Sequence, residues 1–397
     1  MRNWLTYSIS CAMGVAFYFL FGNYPWFGVL TTAVSDIMLS VSSVLLIVVV
    51  FTTLTAAAAS FAARRDIGLK TFLLSLLWGA GTTVLLSVAA AVVYMTMPAS
   101  VPATFPLEDF RTTFLSNTII LRVLSFRNIT VATIAAALIT GYAIRPTSSI
   151  FSPIYGIANS LSEVSYRLCL DLSRFWWLPL FFMSAKWTSV TVQTGISGNW
   201  ISTFFIFALI AVFGLLPLAY FAITGFRHNP YSRMFRLLPA ALPAFLSGSS
   251  VFAAVPFYTT VRNNLGVQKR VTSLTAVESA FFAKGGSAAC ATLFTCFALF
   301  GPSSLQAGFS GLLPVALSCS LFSVICSMAP GSEILFISVF ALNYLGSGAV
   351  PVSPAMAALP LYAGTAALIN TLSAGLAADV CSVNLKAGTF VYRKDMI

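Results

Sequence analysis

The chain alternates between long apolar runs and short polar joints, and the runs exceed what a soluble core needs. Periodic apolar stretches predict helices at about 4–22, 35–63, 70–97, 117–144, 155–185 and 199–225. Roughly 20 apolar residues of helix cross a bilayer, so each is a candidate span. After residue 236 the pattern changes. Residues 238–262 are apolar but interrupted by Pro239, Pro243, the cluster Ser247-Gly248-Ser249-Ser250 and Pro256. That reads as a re-entrant helical hairpin with a polar tip, since straight spans lack such breaks. A helix over 271–300 carries Lys284 and a glycine pair at its middle. A second interrupted stretch, 312–345, has Ala329-Pro330-Gly331-Ser332-Glu333 at its centre, and a last helix, 352–385, carries Asp379. Hairpin, interrupted helix, hairpin, helix is the order expected of a structural repeat whose broken elements meet at the bilayer midplane.

Composition agrees. Of 397 residues, 58% are hydrophobic and 8% charged, with a mean hydropathy of +0.92. The expectation is an all-α polytopic membrane protein with eight transmembrane helices and two re-entrant hairpins. The formal charge of +11 invites a nucleic-acid reading, but the basic residues fall between or beyond the spans. Arg64, Arg65 and Lys70 lie in one joint, Arg227, Arg233 and Arg236 in another, and Lys386, Arg393 and Lys394 near the end. That distribution places both termini in the cytoplasm and Glu108 and Asp109 outside, with anionic lipid as counter-charge and no nucleic-acid partner. The apolar N-terminal run has no Ala-x-Ala site and is read as the first span. Seven scattered cysteines form no Cys-x-x-Cys pair and read as small buried hydrophobes. His228 reads as a solvated loop residue. No nucleophile constellation or metal-ligand cluster points to an enzyme, and no cofactor is expected.

Lys284 carries the sharpest chemistry. A cation at the bilayer centre costs roughly 2.5–3.5 kcal/mol on insertion scales, so it faces a partner or a solute pathway. It is about 20 Å from either end of its helix at 1.5 Å per residue, beyond the reach of its stem. Three acids compete for attention: Asp379, Glu333 and Glu278. Glu278 is six residues before Lys284, on a different helix face, and is expected near the membrane interface. Glu333 follows Pro330-Gly331 and is expected to cap a hairpin arm.

Several of these stretches resemble the dicarboxylate/amino-acid:cation symporters, which include the glutamate transporters. Pro256 and Gly266 match that family's first hairpin and its exit. The segment Ala283-Lys284-Gly285-Gly286-Ser287 falls where the family's seventh helix carries Asn-Met-Asp-Gly-Thr. Glu163 through Phe181 resembles the fifth helix, and Pro330-Gly331 the second hairpin tip. The resemblance implies a homotrimeric, elevator-type transporter of an inner membrane. Residues 1–237 would be mainly scaffold helices one to six, with the third and sixth associating with the mobile part. Residues 238–397 would form that transport core. Ser249, Ser250, Lys284, Gly285, Ser287, Pro330, Gly331, Asn370 and Thr371 would lie at the substrate site.

The departures are as informative. Hard cations need oxygen ligands, and the signature segment has lost one carboxylate and one amide. In the third helix, Trp78, Gly81 and Thr82 fall near another family sodium site and mostly lack its oxygens. Asp379 falls on a sodium-binding aspartate, a vestigial metal site, whereas the substrate-reading arginine falls at Thr371. The expectation is a transporter of a small amino acid or related organic solute in which Lys284, neutralised by Asp379, replaces sodium. Facilitated exchange and proton coupling both stay open, as does a direct contact between Lys284 and a substrate carboxylate. The alternatives are sodium-driven glutamate or aspartate uptake and, from another class, an anion channel.

Overall fold

The computed structural model describes residues 2–62, 65–96, 117–144, 152–194, 205–226, 228–300, 304–326, 333–345, 353–386, 388 and 391. Among them every regular element is a helix; the only backbone pairing of strand type is an isolated bridge between Val267 and Gly388. Seven stretches are long and apolar enough to cross a membrane. They are α1 (Arg2–Phe21), α2 (Pro25–Ala62), α3 (Arg65–Met95), α7 (Phe205–Thr224), the pair α11 (Lys269–Phe282) and α12 (Gly285–Phe300), the Gly308–Ile325 part of α13 (Ser304–Ile325), and α15 (Ser353–Asn384). The chain is an all-α polytopic membrane protein.

The single span expected over 155–185 is instead two helices, α5 (Ser152–Phe175) and α6 (Trp177–Thr194). Pro179 has no N–H for the Phe175 carbonyl and its ring crowds that oxygen, so the helix breaks one turn earlier. Trp176 then turns tightly back to Ser173, its N–H donating over 3.3 Å. The polar stripe of α5 is answered by neighbours. Glu163 lies 3.7 Å from Arg262 and 3.6 Å from Lys269, and within α5 itself the exposed Asp171 pairs with Arg174 at 3.1 Å.

The interrupted regions form helical pairs. The first is α9 (Leu238–Ser247) and α10 (Ala254–Asn264), joined through Gly248 in a left-handed conformation. A serine ladder closes this tip: Ser247 Oγ accepts from Ser249 N–H, and Ser249 Oγ from Val251 N–H. The second pair is α13 and α14 (Glu333–Tyr344). In α13 the apolar part, Gly308–Ile325, is long enough to span and begins before the expected start at 312. Pro330 and Gly331 lie outside the described residues.

α3 is buried against α11, α12, α13 and α15, and one apolar core runs through them, including Trp78, Leu86, Tyr94, Phe294 and Leu376. α2 packs on α4 (Asn117–Ala143), α5, α6 and α11. At 38 residues it is about 57 Å long at 1.5 Å per residue, well beyond a bilayer's apolar thickness. A second cluster holds the hairpin residues Phe252 and Val255 against Tyr7, Cys169 and Trp176. In α7 a π-helical turn, Ile210–Leu215, precedes Pro217. Proline cannot bond the Phe213 carbonyl, and Tyr231 of α8 (Pro230–Arg236) does so instead, its hydroxyl donating over 2.9 Å.

Candidate functional site

The site is built around the gap between α11 and α12. Ala283 (φ −85°, ψ 60°) leaves the helical region, and α12 restarts at Gly285. Broken backbone in a membrane interior must find partners, and here it does. Thr83 on α3 donates its hydroxyl to the Phe282 carbonyl at 2.8 Å. Asn370 on α15 accepts through Oδ1 from the N–H groups of Gly286 and Ser287, at 2.8 and 3.4 Å. Asn370 thus serves as an N-cap supplied by another helix. The two glycines let the neighbours close in. A Cβ on Gly285 would meet Leu86 and the Thr82 carbonyl, and one on Gly286 would meet the Ala366 carbonyl.

Lys284 sits in the gap, 2% exposed. Its Nζ lies 2.8 Å from Glu333 Oε1, at the start of α14. The other carboxylate oxygen accepts from Ser287 Oγ at 2.6 Å, and Ser287 Oγ accepts in turn from Asn370 Nδ2 at 2.7 Å. One network therefore joins the break, the second helical pair and α15. Burying two ions costs several kcal/mol each, which attraction recovers only with good geometry and further hydrogen bonds. Close approach at 2.8 Å and the Ser287 bond to the second oxygen supply part of this, and the N-terminus of α14 adds a favourable dipole for the carboxylate.

Asp379 is not the partner of Lys284. It accepts from the Tyr220 hydroxyl at 2.5 Å and lies 3.4 Å from Arg233 Nε. The reason is axial: Asp379 is nine residues beyond Asn370 on the continuous helix α15, about 13 Å further along at 1.5 Å per residue. Glu333 departs from its expected role as well, since its two oxygens go to Lys284 and Ser287. Glu278, expected near the interface, is 5% exposed, and among the described residues neither of its oxygens makes a hydrogen bond of good geometry. Leaving such a group unsatisfied costs about 1–3 kcal/mol, so Glu278→Leu is expected to stabilise the protein by a similar amount. Thermal denaturation in detergent measures this; a loss of stability of that size would mean that Glu278 has a partner.

Beside Lys284 lies a cavity of about 90 Å³. Its lining includes Ser250, Val251 and Tyr258 of the first helical pair, Lys284, Asn370 and Thr371, together with residues of α2 and α11 and Ile134 of α4. Four of the expected substrate-site residues, Ser250, Lys284, Asn370 and Thr371, are thus brought together. Ser249 turns inward to the tip, Gly285 packs on α3, and Ser287 faces Glu333. Drug-sized ligands take roughly 300–1,000 Å³; this space suits a small solute. On α3, Trp78 Nε1 donates to the Ser373 carbonyl at 2.9 Å, and the Thr82 hydroxyl to the Trp78 carbonyl at 2.8 Å. Both polar side chains at that position are thus hydrogen-bonded within the protein.

Arg233 and Tyr220 were missed as site residues. Arg233 reads in sequence as one more loop charge, and a tyrosine in an apolar run carries no signal of a carboxylate partner. No protein-family model matches this chain, and no curated protein does either.

Proposed function

We propose that this protein is an elevator-type secondary transporter of a small amino acid or related organic solute, working without sodium. In this reading the two helical pairs, α11–α12 and α15 form the mobile core, with α3 and α7 attached. Helices α1, α2, α4, α5 and α6 are the scaffold, and the assembly is a homotrimer. The substrate occupies the cavity between core and scaffold, where the Lys284 ammonium and the Asn370 amide are the polar groups that orient it.

One observation carries the reading. Two carboxylates in this region, the partly buried Glu333 and the buried Asp379, each already hold a cation of the protein's own, Lys284 and Arg233. A hard metal ion would need those oxygens free. The tethered charge expected at Asp379 is therefore supplied by Arg233, while Lys284 balances Glu333.

Counterflow of a labelled amino-acid mixture into proteoliposomes, in sodium or choline buffer, tests this. Equal uptake in the two buffers is the expected result. Strict dependence on sodium would overturn the reading, and channel-sized anion currents would replace it with the other class.

A further inference from the structure

A second cavity lies at the end of α15, away from the Lys284 network. It encloses about 680 Å³ and opens to the surface. Among the described residues its basic lining is Arg233 and Arg236 from α8, Lys386 from beyond α15 and His228, and its single acid is Asp379. That acid is taken, since Arg233 and Tyr220 both engage it. Three permanent cations therefore face one anion, and among the described residues neither Arg236 nor Lys386 makes an ion pair.

The walls are held in place. Arg236 Nη1 donates to the Asn264 carbonyl at 3.2 Å, and Asn264 Nδ2 donates back to the Arg236 carbonyl at 2.9 Å, locking α8 to the end of α10. Lys386 has a left-handed backbone (φ 50°), and the chain then pairs Gly388 with Val267. A positive cavity of fixed shape is what a phosphate group requires, because the planar guanidinium matches its oxygens and needs little reordering.

We propose that this cavity binds the phosphate of an anionic phospholipid headgroup. The source is argued from position. The cavity lies just past the ends of two apolar spans, α7 and α15. Phe226, Tyr231 and Phe235, which flank its basic residues in the chain, are 76%, 47% and 44% exposed. Tyrosine, with an apolar body and a polar tip, is enriched at the membrane–water interface, and basic pockets there recognise anionic headgroups.

The test uses the full-length protein in neutral detergent and follows phospholipid binding by native mass spectrometry. Phosphatidylglycerol is expected to bind and phosphatidylcholine not. A charge near an anionic membrane surface is worth a factor of about five. Lys386→Gln should therefore weaken phosphatidylglycerol binding about fivefold, and Arg236→Gln with Lys386→Gln about thirtyfold. Both choices leave the pair of Arg233 and Asp379 untouched. Lys386 is exposed and makes no ion pair among the described residues, so the single variant stays informative if the double fails to fold. Equal binding of the two lipids, or variants that bind like the wild type, would overturn the proposal. Competition by inorganic phosphate without selectivity between the lipids would assign the cavity to a free phosphate instead.

Discussion

Replacing Lys284 by methionine is expected to cost about 3 kcal/mol of stability, the lower end of the range for a broken buried pair, because it strands a partly buried carboxylate. Methionine fills a similar volume, so the loss isolates the charge. Glu333 would keep its hydrogen bond from Ser287 but lose the ammonium 2.8 Å away. Glu333→Gln alone should be similarly severe, since it leaves the ammonium, 2% exposed as a residue, without a counter-charge. Combining the two removes both ions together, and a glutamine can still accept from Ser287. The double variant should therefore be more stable than either single variant, as in other cases where an ion pair is exchanged whole. Thermal unfolding in detergent gives the cycle directly. Additive losses in the double variant would mean the two charges do not depend on each other. A control sharpens the result: Lys284→Met combined with Asp379→Asn should show simple additivity, because Asp379 belongs to the Arg233 site.

Arg233→Met is the second large effect, about 3–5 kcal/mol. Asp379 is 1% exposed, and without the guanidinium its only remaining described partner is the Tyr220 hydroxyl. The arginine side chain is 17% exposed and lines an open cavity, so water softens the loss toward the lower end. Asp379→Asn should be milder, because an amide still accepts from Tyr220. Restoration by the pair Arg233→Met with Asp379→Asn is the expected signature, read by the same unfolding measurement. A wild-type-like Arg233→Met variant would show that Asp379 does not need the guanidinium.

Much of this architecture was legible in the chain, and the failures have specific causes. The Lys284 break could be read because a cation beside two glycines in an apolar run leaves few alternatives. The first helical pair was visible through its prolines and serine-rich tip. The choice of partner for Lys284 was not visible, because three acids were available and only the packing of α12, α14 and α15 decides among them. The axial offset between Asn370 and Asp379 carried part of the answer, but using it requires knowing that Asn370 stands level with the break. Arg233 was lost for a different reason: a charge between apolar runs looks solvated until α8 folds it over the end of α15. The split of the fifth expected span was signalled by Pro179 and by the charged series Glu163, Arg167, Asp171 and Arg174. A long apolar average concealed both.

The pairing of Lys284 with Glu333 also bears on how the protein is made. Translation delivers Lys284 to the insertion machinery before Glu333 exists, at a time when its charge has no partner. The α11–α12 segment is the least apolar of the seven spans, and an unpaired lysine at its middle opposes release into lipid. Release into lipid is therefore expected to become easier once α14 brings Glu333 to the lysine, and a nascent chain truncated between them should be more accessible to water than one that includes α14.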